Sequence, residues 1–86
     1  MNTADRALAK AILAVEAARP RSGYRPETED EWNRLVAANE KMGYAMYLKM
    51  GKPKDIARGL ARVTHGGAVA RLLLGLSLKG DGGRNG

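Results

Sequence analysis

The stretch Thr28-Glu29-Asp30-Glu31-Trp32-Asn33-Arg34-Leu35-Val36, continuing through Met42, Met46 and Met50 to Gly51, carries the strongest local signal in the sequence and sets the fold class. Thr28 followed three residues later by Glu31 makes a capping box, in which the hydroxyl accepts the Glu31 backbone N–H and the carboxylate reaches back. Three acids in the first turn complement the positive end of the helix dipole. Trp32, Leu35, Val36, Met42, Met46 and Met50 then recur at helical spacing, with Asn39 the one polar residue in the stripe. Lys49 near the end and Gly51 just after it are stop signals. The pattern predicts a helix over residues 29–50.

Toward the N-terminus, residues 19–27 hold two prolines, a glycine and three arginines, which leave no periodic face to bury. Before that loop a helix is expected from about Thr3 to Ala18, capped by Asn2 or Thr3, with Asp5 favourable in its first turn. Its apolar face reads Ala4, Leu8, Ile12 and Val15, joined by Ala7, Ala11 and Ala18. Pro20 ends it, because the residue before a proline avoids the α region.

Toward the C-terminus, Pro53 is expected to open a third helix at its first position, where a missing N–H costs nothing. Ile56, Leu60 and Val63 are read as its inward face, with Arg58 and Arg62 on another. Thr64-His65-Gly66-Gly67 breaks or kinks the pattern, so the next helix, Ala68 to Leu78, is either separate or the far half of one bent helix. That helix is apolar nearly all round, which means it is central to the core or covered by a partner. Gly80 to Gly86 cannot pack and is expected to be a disordered tail. The expected fold is all-α: a bundle of three to four helices in one domain, residues 1–79, followed by the tail 80–86.

Composition supports a thin core. A chain of 86 residues buries only about 60–65% of its unfolded surface. It has no Cys and no Phe, leaving Trp32, Tyr24, Tyr44 and Tyr47 as the large aromatic anchors. Glycines stand eight apart at 43, 51, 59, 67 and 75, without any repeat of the residues between them. A repeat architecture is therefore excluded; the spacing is read as chance, with close helix crossings at Gly43, Gly59 and Gly75 as the alternative. No apolar run reaches the roughly 20 residues a bilayer-spanning helix needs. Charged residues through the N-terminal segment argue against a signal peptide, so a soluble cytoplasmic protein is expected.

The net charge of +6 is unevenly placed. Residues 27–40 hold five acids against Arg34, whereas residues 41–79 hold eight bases against Asp55. Such a basic half suits polyanions. Residues 56–73 also carry a loose helix-turn-helix pattern, but the spacings are too long and the second helix offers Val and Leu where base readout needs Arg, Asn or Gln. His65 has no companion ligand, and Ser22 and Ser77 have no base beside them, so no catalytic set can be drawn. Neither an enzyme nor a metal or cofactor site is expected. Gly66-Gly67 before a helix could offer backbone N–H groups to a phosphate, although the spacing matches no known phosphate loop.

The favoured reading is a small non-enzymatic binding or regulatory protein, of the mobile-element or phage-type accessory kind, acting through a helical protein-interaction surface. The docking element is expected to be the second helix or the fourth, with Tyr44, Tyr47, Leu48 and Met50 the expected contacts, because the end of the second helix is apolar around more than half its girth. The expected partner is another protein or further copies of this one. The alternative is a nucleic-acid binder using Lys49, Lys52, Lys54, Arg58, Arg62 and Arg71 on the phosphate backbone. A membrane-surface role is the weakest reading, since the apolar residues of 54–79 are expected to be needed for the core.

Overall fold

The computed structural model describes residues 2–20 and 24–78; the expected tail and Lys79 lie outside the described residues. Four helices follow in order: α1 (Thr3–Ala18), α2 (Glu29–Lys49), α3 (Lys54–His65) and α4 (Gly67–Ser77). The all-α bundle is therefore observed, with no strand among the described residues.

The caps explain where the elements begin and end. Asn2 Oδ1 accepts the Asp5 N–H at 2.8 Å and starts α1. Thr28 Oγ1 accepts the Glu31 N–H at 3.1 Å and starts α2. The Thr28 hydroxyl also donates to Glu31 Oε1 at 3.0 Å, in place of the backbone link a capping box would make. At the far end of α2, Gly51 adopts φ 93°, which an L side chain rarely tolerates. Its N–H reaches Leu48 O and the Lys52 N–H reaches Tyr47 O, both at 3.0 Å, closing a Schellman motif. Pro53 stands one place earlier than expected. It is the N-cap of α3, and its carbonyl accepts the Ala57 N–H at 2.8 Å.

Helices α3 and α4 are separate, divided at Gly66. Gly67 takes φ 56° to begin the new helix, a conformation that favours glycine, whereas Gly66 before it is extended. Asn39, the polar residue in the stripe of α2, is buried and donates from Nδ2 to the His65 carbonyl at 2.8 Å. It thus satisfies a carbonyl at the end of α3 that has no partner within its own helix.

α2 is the central helix, and the two seams it forms differ in kind. Along one seam, Val15 of α1, Leu35 of α2, and Ala70, Leu74 and Leu78 of the α4 segment form the aliphatic core, with Trp32, Val36 and Met42 packed against it. Leu35 is fully buried, and such burial contributes about 1.5–3 kcal/mol. Along the other seam α3 folds back on α2 through Ala57 and Ala61, both buried. A Cβ on Gly43 would run into the His65 ring, so the small residue lets α3 approach closely.

That second seam overturns the inward face expected of α3. Ile56 is 51% exposed and Val63 67% exposed, while Leu60 is only half-buried. The face that packs is the small one, Ala57 and Ala61, and at the end of α3 Gly43 leaves room for the His65 ring while Asn39 bonds its carbonyl. The glycine spacing is likewise mostly without structural meaning: a Cβ on Gly59 would meet nothing, and one on Gly75 would make only ordinary contact with Arg25.

Candidate interaction surfaces on helices α3 and α4

Helix α4 buries one side and opens the other. Ala70, Leu74 and Leu78 point to the core at a four-residue period. Val69, Leu72, Leu73 and Leu76 fall at the i, i+3, i+4, i+7 positions of the opposite face. Leu72 is 63% and Leu76 76% exposed, and Val69 and Leu73 are exposed as well. One face of this helix is central to the core, one of the two expectations for it, and the other is uncovered. Ile56 and Val63 on α3 and Leu13 on α1 add further exposed aliphatic surface.

The residues expected to form a contact face on α2 are placed differently. Tyr44, Tyr47 and Leu48 are half-buried, and only Met50 of the four is exposed. The Arg58 guanidinium lies 5.6 Å from the Tyr44 ring centroid. The Tyr47 hydroxyl lies 3.1 Å from Thr64 Oγ1, and its ring meets His65 edge-on at 6.0 Å. Thr64 donates its own hydrogen to Leu60 O at 2.8 Å, so Tyr47 and His65 Nδ1, 2.7 Å away, both donate to the Thr64 oxygen. These side chains fasten α3 to α2. His65 takes part as a hydrogen-bonding element of that seam, consistent with its position at the end of a helix.

The basic residues split into two sets. Lys49 pairs with Asp5 at 2.9 Å, joining the end of α2 to the start of α1. Arg71 forms a two-pronged pair with Glu29, and its guanidinium also lies 5.6 Å from the Trp32 ring centroid. The Arg71 guanidinium hydrogen-bonds to Glu29 and holds its carboxyl below the usual range. Both cations are therefore matched within the molecule. Lys52, Lys54, Arg58 and Arg62 are exposed and make no ion pair with any described carboxylate. Lys54, Arg58 and Arg62 follow one another at i, i+4 and i+8, so they form a row along one face of α3.

Beside that row, Ala37, Glu40, Lys41 and Tyr44 of α2 and Arg58 and Ala61 of α3 line an open groove. The Glu40 carboxylate also lies against Gly66 at the N-terminal end of α4. The place where the sequence suggested a phosphate could sit is thus already faced by an acid of the chain itself. Among the described residues, no three His, Asp or Glu side chains gather closely enough to share a metal ion, and no helix is long and apolar enough to cross a membrane.

Sequence reasoning missed the small-residue side of α3, and for α4 it read an apolar girth without telling which side is open. A signal for the former was present: Ala57 and Ala61 stand at i, i+4, as the alanines of α1 do. The pairing of Arg71 with Glu29 joins residues 42 apart, and helical periodicity carries no information about such a contact. Comparison of the chain with known protein families, with characterised proteins and with solved structures finds no match.

Proposed function

We propose that the chain is a non-enzymatic binding or regulatory protein that works by docking the outward face of α4 onto an apolar helix, and that the helix it takes is α4 of a second copy. The observation that carries this reading is the stripe Val69, Leu72, Leu73 and Leu76, exposed on a helix whose other side is already core. Contiguous aliphatic surface of this kind gains free energy when removed from water, at about 25 cal/mol per Å². Charge favours a second copy over an anionic surface. The only charged side chain in residues 66–78 is Arg71, and Glu29 matches it, so two such faces meet without opposing like charges. An anionic lipid surface would favour free cations at the rim of the apolar stripe; among the described residues of α4 the one cation is Arg71, and Glu29 matches it. A two-fold arrangement lets each copy use the same patch once.

Light scattering over a concentration series tests this. The wild type should show a mass above that of the monomer, and Leu72→Glu with Leu76→Glu should return it to monomer while leaving helicity intact. A wild type that stays monomeric at the highest concentration reached would overturn the reading.

A further inference from the structure

We infer that the row Lys54, Arg58 and Arg62 on α3, together with Lys41 across the groove, is a contact site for the phosphate backbone of nucleic acid. The site is distinct from the α4 face and does not depend on it. Three observations converge on it. The four cations are exposed and unmatched by described carboxylates, in contrast to Lys49 and Arg71, which the fold neutralises. The α3 cations are evenly spaced, about 6 Å apart along the axis at a rise of 1.5 Å per residue. Lys41 and Arg58 line the same groove, so α2 and α3 both contribute.

The acids nearby do not cancel the row. Asp55 is the one acid on α3; it stands in the first turn, where it complements the helix dipole, and it pairs with none of the row's cations. Glu40 shares the groove, but its carboxylate lies against Gly66 at the end of α4. Four cations against these two acids leave the surface positive. A regular row of single charges suits a polymer of regularly spaced single charges better than an acidic protein face of irregular spacing. A row of Lys and Arg neutralises phosphates whatever the bases between them. Binding is therefore independent of sequence and strongly dependent on salt.

The test is a salt titration with a labelled duplex DNA of arbitrary sequence, using the full chain. Four phosphate contacts give a slope of about −3.6 in log K against log salt, or about 10²-fold weaker binding between 50 and 200 mM. Arg58→Ala with Arg62→Ala should halve that slope, leaving about a tenfold loss over the same range. Arg58→Lys with Arg62→Lys should keep the full slope, which separates charge from the packing of Arg58 on Tyr44. Lys49→Ala with Arg71→Ala removes the same charge from matched positions and should leave the slope unchanged. Circular dichroism of each variant checks that it is folded. Three outcomes would overturn the site: no binding at the lowest salt, an equal fall in slope for the Lys49 and Arg71 pair, or displacement of the DNA by polyglutamate at matched charge. The first leaves the oligomeric mass untouched, so it cannot be confused with failure of the α4 docking reading.

Discussion

The two seams of α2 are built from different materials. Against α1 and α4 it sets Trp32, Leu35 and Val36 into an aliphatic core with Val15, Leu74 and Leu78. Against α3 it offers Gly43 to the His65 ring and Asn39 to the His65 carbonyl, with Ala57 and Ala61 buried and Tyr47 and Thr64 linked through their hydroxyls. The first seam draws its strength from buried area. The second depends on closeness and on hydrogen bonds that only one geometry satisfies. A seam made of small residues leaves the large aliphatics of α3, Ile56 and Val63, outside, and the outer stripe of α4 is outside with them. Apolar surface is thereby left available for a partner.

Either seam can be perturbed alone. Leu35→Ala should give the largest effect, about 2–5 kcal/mol of destabilisation in chemical denaturation, since the cavity adds to the lost transfer energy. A fall below about 1 kcal/mol would mean that the aliphatic seam collapses around the gap. Gly43→Ala tests the close seam. A Cβ there meets the His65 ring, and overpacking of this kind costs about 1–3 kcal/mol. Gly59→Ala is the matched control, because that glycine belongs to the same eight-residue spacing yet faces open space. It should stabilise the protein by up to about 1 kcal/mol through helix propensity alone. Equal effects from the two substitutions would show that α3 is not held closely at Gly43.

The smallest expected effect lies outside both seams. Glu29 has its folded pKa lowered by Arg71, so the stabilisation from the pair is present at neutral pH. It is lost as the pH falls through that lowered value, below the ordinary carboxylate range. A carboxyl titration followed by NMR should place Glu29 below the other glutamates, and Arg71→Ala should return it to their range.

Much of this architecture was legible in the sequence. Thr28, Glu31 and Gly51 mark the ends of α2 because capping is local, decided within a few residues of chain. Asn2, Pro20 and Pro53 mark the other boundaries to within a residue for the same reason. The inward side of α3 was not legible from hydrophobicity. Its apolar and small stripes are both at helical spacing, and the choice between them is made only when α3 packs on α2. The candidate sites were readable only in part. Lys54, Arg58 and Arg62 could be seen as a row, whereas the neutralisation of Lys49 by Asp5 and of Arg71 by Glu29 is a tertiary fact.

Whether the open side of α4 meets its own counterpart in a second copy can be read from isotope-filtered NOE spectra of a mixture of labelled and unlabelled protein. Self-docking through α4 requires intermolecular contacts among the methyls of Val69, Leu72, Leu73 and Leu76, lost in Leu72→Glu with Leu76→Glu. Intermolecular contacts confined to other helices, or none in a sample of raised mass, would rule it out.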